Sequence, residues 1–129
     1  MARQMTEMLK GTLEGVVLAI LAVQPAYGYE ITARLRGQGF ADIVEGTVYA
    51  LLIRIEQRGL VDVAKVASEK GPPRKVYSLN AVGREYLEEF WKSWSFLAER
   101  IEQLHHHLEH PQKEGEADSS QRRNRTGSD

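Results

Sequence analysis

Thr47, Tyr49 and Arg54 lie close together in a stretch with helical spacing, and Lys70, Arg74 and Lys75 flank the stiff tripeptide Gly71-Pro72-Pro73. Hydroxyls at the start of a helix, a guanidinium further along it and cations on a restrained loop bind phosphate oxygens and base edges. Lys10 and Thr12 are weaker candidates for the same backbone contacts. This chemistry grips a polyanion and breaks no bond. The chain has no cysteine, no serine beside a histidine and no histidine outside positions 105–110. No nucleophile and base can be paired, so an enzyme is not expected, and disulfides and thiolate metal sites are excluded. His105, His106, His107 and His110 include one pair four residues apart on a shared helix face. Histidines at a helix end are ordinarily just solvated, so no metal and no cofactor is assigned.

The elements that must position these groups follow from the spacing of apolar residues. Leu9, Leu13, Val16, Val17, Ile20 and Leu21 predict a first helix from about Thr6 to Val23, ended by Gln24-Pro25. A short second helix is expected over Tyr29 to Arg36, stopped at Gly37-Gln38-Gly39. A third opens at Glu45-Gly46-Thr47, turns Val48, Leu51, Leu52 and Ile55 inward and ends at Gly59. Leu60–Ala67 and Lys75–Leu79 read as two strands of a hairpin, with the polar loop Ser68–Arg74 between them. Asn80 is placed to cap a long fourth helix from Ala81 to about Leu108. The expected fold is mainly α with a small β-hairpin (α+β). Its parts are a winged helix-turn-helix over residues 1–80, a dimerisation helix over 81–110 and a disordered tail over 111–129.

In the last helix Leu87, Phe90, Trp94, Leu97, Ile101, Leu104 and Leu108 recur in alternate steps of three and four. Such a helix runs roughly 40 Å, more than a small domain can cover, so a second copy of the chain is the expected cover. A twofold axis would place two third helices on one face of an inverted-repeat duplex. Net charge is −1, yet Ile31–Asn80 holds eight basic residues against five acidic and Ala81–His110 three against six. Only the central part is basic, and local field governs steering towards phosphate. The 129 residues suit one small domain with an appendage. The longest apolar stretch, Val16–Val23, falls well short of the ~20 residues of a membrane span. With no signal peptide visible, no membrane role is expected, and the cytoplasm, on the nucleoid, is the expected location.

These residues resemble the PadR family of bacterial transcriptional regulators over about Leu9–Leu108. The resemblance rests on Leu9-Lys10-Gly11-Thr12-Leu13-Glu14, Gly28-Tyr29-Glu30-Ile31, Glu45-Gly46-Thr47-Val48-Tyr49 and Gly71-Pro72-Pro73-Arg74-Lys75-Val76-Tyr77-Ser78-Leu79, followed by Gly83 and Tyr86. It implies a winged-helix amino-terminal domain, a carboxy-terminal dimerisation helix and repression by promoter occupancy. The single last helix is similar to the short-tailed branch, some members of which sense small hydrophobic compounds. Ala50 stands where the family often has proline, Ile53 where an arginine commonly precedes Arg54, and Asn80 where threonine is frequent.

Trp94 on the apolar seam carries a further expectation. Two indoles meeting across a twofold axis would wall a slot for a small aromatic effector, with Trp91, Ala98 and Met8 as neighbours and with room left by Gly11 and Gly15. The competing reading is a protein-interaction module that docks a different partner on the heptad helix, without selective DNA binding.

Overall fold

The computed structural model describes residues 2–111. Among these residues, five helices and three strands follow in the order α1 (Ala2–Leu9), α2 (Leu13–Val23), β1 (Ala26–Tyr27), α3 (Gly28–Gly37), α4 (Glu45–Gln57), β2 (Val61–Val66), β3 (Arg74–Leu79) and α5 (Ala81–Glu109). The chain divides into two compact units, residues 1–90 and 91–129. The expected tail beyond Pro111, with Lys113, Arg122, Arg123 and Arg125, lies outside the described residues.

The first helix is not continuous as its periodicity predicts. At Lys10-Gly11-Thr12 the amide of Lys10 donates to Glu7 O and that of Thr12 to Leu9 O, a tight three-residue pattern that separates α1 from α2. Glycine is a poor helix former, and the Thr12 hydroxyl bonds back to Met8 O (3.4 Å), so local chemistry at the break outweighs the apolar spacing. Packing agrees: Leu13, Val17, Leu18 and Leu21 are buried, whereas Met5 and Met8 are exposed.

The hairpin is part of a three-stranded antiparallel sheet in the order β1-β3-β2. Ala26 pairs with Tyr77 and Tyr27 with Val76, while the hairpin runs in register from Val61–Leu79 to Val66–Arg74. Alternation along β3 buries Tyr77 and Leu79, as its sequence pattern predicts. A two-residue strand between Pro25 and Gly28 is too short to carry any period, so the sequence pattern does not announce β1.

The core joins Val17, Leu18 and Leu21 of α2 to Ile31 and Leu35 of α3, Val48, Leu52 and Ile55 of α4, and Leu60, Val61, Tyr77 and Leu79 around the sheet. Each fully buried Leu, Ile or Val contributes about 1.5–3 kcal/mol, and together they fix α4 against α2 and α3. Gly59 holds φ at +72°, a left-handed conformation that ends α4 and turns the chain into β2. Asn80 caps α5 as expected. Its Oδ1 accepts from the Gly83 amide (2.8 Å), and its Nδ2 donates to Gly59 O (2.9 Å). A Cβ at Gly83 would strike the Leu60 carbonyl oxygen, a backbone atom that cannot step aside. Gly83→Ala is therefore expected to lower stability by about 1–3 kcal/mol or more, read from a denaturant midpoint.

Two expected seam residues are used elsewhere. Leu87 is buried in the core of residues 1–90, and Phe90 packs against that core with its ring filling the space beside Gly15. The compact unit thus extends to residue 90 rather than ending at 80, because the first turns of α5 carry apolar side chains that the domain needs. Residues 91–109 continue the helix. There Trp91, Trp94, Leu97, Ile101, Leu104 and Leu108 are all exposed.

Candidate nucleic-acid interface

Helix α4 buries Val48, Leu51, Leu52 and Ile55 and so turns Gly46, Thr47, Tyr49, Ala50, Ile53, Arg54 and Gln57 to solvent. Glu45 at the helix start is exposed as well, so the open side of α4 carries one carboxylate at its first residue, hydroxyls just beyond it and one guanidinium further along. Thr47 is the third residue of the helix and not its cap, which is Val44, so its hydroxyl is not committed to that end. Tyr49 both packs and projects. Its ring lies so close to Gly28 that a Cβ there would come within 2.7 Å of it, yet the residue stays exposed.

The wing is tied to α3 and α4 at its root. Because β1 pairs with β3, Arg74 and Lys75 emerge beside the start of α3. The Arg74 guanidinium lies 5.5 Å from the centroid of the Tyr29 ring, and Tyr29 stacks on Tyr27 at 5.7 Å with planes 6° apart. The Tyr27 amide donates to Glu30 Oε1 (2.9 Å), fixing that end of α3. Lys75 Nζ stands 3.5 Å from Glu56 Oε2 on α4, with both side chains partly exposed. Burial, with Glu56 and Tyr49 nearby, holds the Tyr77 phenol above its ordinary pKa, so it stays neutral at physiological pH. Lys70 lies exposed in the turn between β2 and β3.

Thr47, Arg54 and Lys10 are brought together around a groove of about 560 Å³ between α1 and α4, whose wall includes Leu9, Phe40 and Ala50. Thr12 does not line it, and its hydroxyl is turned to Met8 O. Lys10 pairs with Glu7 at 3.0 Å across well-exposed surface, a contact of little energetic weight. Arg54 lies 3.6 Å from Glu14 of α2, which also receives a hydrogen bond from Arg58. Two exposed residues take roles that their sequence positions do not announce. Tyr29 supports Arg74, although in the sequence it stands out only as part of a motif. Ile53, 56% exposed, places an apolar side chain on the open edge of α4, where the sequence shows only a missing cation.

The residues expected to line an effector slot stand as follows. Gly15 offers no room, because the Phe90 ring occupies the space beside it. A Cβ added at Gly11 would meet nothing within 4 Å, and Met8 is exposed. In residues 91–111, Trp91 and Trp94 are 46% and 44% exposed and Ala98 is half-buried. The expected seam, less Leu87 and Phe90, comprises Trp94, Leu97, Ile101, Leu104 and Leu108, all exposed. The His106 and His110 rings lie 4.6 Å apart, and His105 Nε2 is 2.9 Å from Glu109. Among the described residues no three metal-ligating side chains converge, and no helix is long and apolar enough to cross a membrane.

Residues 17–89 match the family model of the PadR-like transcriptional regulators. A PadR-like transcriptional regulator from Bacillus cereus is 40% identical, with 76% of this chain and 95% of that one covered at a TM-score of 0.67. A PadR family transcriptional regulator from Eggerthella lenta is 31% identical, with 79% and 88% covered and a TM-score of 0.73. A PadR-like transcription factor from Bacteroides fragilis is 35% identical, with 79% and 98% covered at a TM-score of 0.67. All three are transcriptional regulators or transcription factors of the PadR type. The winged helix-turn-helix, the exposed edge of α4, the cations at the wing root and these likenesses converge on one assignment: the chain belongs to the PadR-like family of transcriptional regulators.

Proposed function

We propose that this PadR-like regulator is a homodimeric repressor that occupies an inverted-repeat operator. Recognition uses the α4 edge, with Thr47 and Tyr49 at base edges and nearby phosphates and Arg54 on the backbone. Lys70, Arg74 and Lys75 of the wing grip flanking phosphates, and Lys10 adds a peripheral contact. The observation that carries the dimer is the row of exposed apolar residues on α5, where Leu97, Ile101, Leu104 and Leu108 follow Trp94 at heptad spacing. A solvated monomer has no use for such a row, and a second copy covers it while doubling the DNA contacts. The test is a sedimentation run on the free protein and on its complex with operator DNA: two copies per duplex are expected, and one copy in both states would remove the dimer.

A small aromatic effector at the dimer axis, between the two Trp94 indoles, completes the reading. An effector changes DNA occupancy only if it prefers one spacing of the two α4 helices, since equal affinity for both states shifts nothing. Trp94→Ala is expected to abolish binding of flat aromatic dyes and to leave a weaker dimer. Tryptophan fluorescence quenching and a dye titration check this, and undiminished dye binding would move the site elsewhere.

A further inference from the structure

Glu14 lies on α2 with only 14% of its side chain exposed, and it meets two arginines at once, Arg54 of α4 and Arg58, which caps the end of that helix. Its Oε2 is 3.6 Å from Arg54 Nη1, and its Oε1 accepts a hydrogen bond from Arg58 Nη1. The two arginines are not equivalent. The Arg58 guanidinium is also held over the Tyr86 ring of α5 at 4.9 Å, and Tyr86 and Glu14 together keep its charge firmly in place. Arg54 has no such second anchor among the described residues, and its side chain is 63% exposed on the edge of α4. Arg58 is the resident partner of the carboxylate, and Arg54 is the exchangeable one.

We propose that Glu14 is a specificity-determining positioning residue that competes with DNA phosphate for Arg54. This rests on the reading of α4 as the helix that faces DNA. Binding to unrelated DNA is almost wholly electrostatic and loosely docked, so a cation held by an internal carboxylate adds little to it. When α4 is seated in its own site, a phosphate is brought to a fixed place and Arg54 transfers to it. Arg58 then remains on Glu14, so no enclosed carboxylate is left unpaired. Because Glu14 is largely screened from solvent by the protein, salt weakens its hold on Arg54 less than it weakens an exposed pair.

Glu14→Gln removes the competing charge and keeps a hydrogen-bonding side chain of the same size. Its affinity for an unrelated duplex is expected to rise about 3–10-fold, with a log–log salt slope steeper by about one ion. Affinity for a duplex from the protein's own promoter region is expected to rise less, so selectivity falls. Arg54→Gln in the wild-type background is expected to weaken promoter binding while leaving unrelated binding almost unchanged, and in the Glu14→Gln background it should cancel the gain. Fluorescence anisotropy at two salt concentrations reads all four proteins. Weaker binding of Glu14→Gln to both duplexes would make Glu14 a support for Arg54 and overturn the proposal, as would unchanged affinities. If Glu14→Gln fails to fold, Arg54→Gln alone decides, and equal losses on both duplexes overturn it. A wild-type protein without selective binding would sink the DNA reading of α4 and this proposal together. Selective wild-type binding with unaltered Glu14→Gln affinities would sink this proposal only.

Discussion

Breaking the apolar row of α5 with Leu97→Glu and Ile101→Glu is expected to give a monomer whose operator affinity is lower by a factor on the order of 10²–10⁴. That range is what is lost when two linked binding events become one. Both residues are exposed within residues 91–109 and do not belong to the buried core of residues 1–90, so each domain should remain folded. Two carboxylates per chain would have to be desolvated to rebuild the seam, a cost that coiled-coil packing does not recover. Light scattering should report one copy instead of two, and a half-site duplex should bind the variant and wild type alike. A dimer that survives both substitutions would place the interface elsewhere.

Replacing both Arg74 and Lys75 by alanine is expected to weaken binding to every duplex by a similar factor, about 10–100-fold, with the salt slope reduced by about one for each lost phosphate contact. Uniform loss is the signature of backbone contacts, since phosphates carry no sequence. The two positions are not equally free. Lys75 must leave Glu56, 3.5 Å away, whereas Arg74 lies over the face of Tyr29 and keeps its charge available while its plane is oriented. Arg74→Ala alone should therefore account for most of the effect. Anisotropy titrations at several salt concentrations separate the two, and an unchanged slope would take the wing out of the mechanism.

Much of this architecture is legible in the sequence because the apolar residues of helices α3 to α5 and of β3 recur with a period that is visible residue by residue, whether the face they form is buried or, as beyond residue 90, exposed. The helical course of α2 is legible for the same reason, but its start is not. The break at Lys10-Gly11-Thr12 depends on hydrogen bonds over three and four residues that compete with an unbroken apolar pattern. Strand β1 depends on a partner some fifty residues further on, and Ala26-Tyr27 carries no period of its own. Leu87 and Phe90 fit the heptad of α5 as well as Leu97 and Ile101 do. Only the packing of the first turns of α5 against α2 separates the residues that serve the core from those left outside it.

For the site, residue types are legible and their partners are not. Thr47, Tyr49, Arg54, Arg74 and Lys75 are marked by their places on a helix start and beside a stiff turn. Glu14 and Arg58, which meet across 44 residues, leave no local signal, and neither does the contact of Tyr49 with Gly28. The family motif marks Gly28 without its reason, which is the Tyr49 ring against the backbone at the start of α3.

The most direct measurement is a titration of the full chain against its own promoter region and an unrelated duplex of equal length, each at two salt concentrations. The expected result is tighter binding to the promoter, with affinity for both falling steeply as salt rises, at about 0.9 in log–log slope for each phosphate gripped. Equal, weak or salt-insensitive binding to the two duplexes would contradict a regulator that reads DNA through the edge of α4 and the cations of its wing.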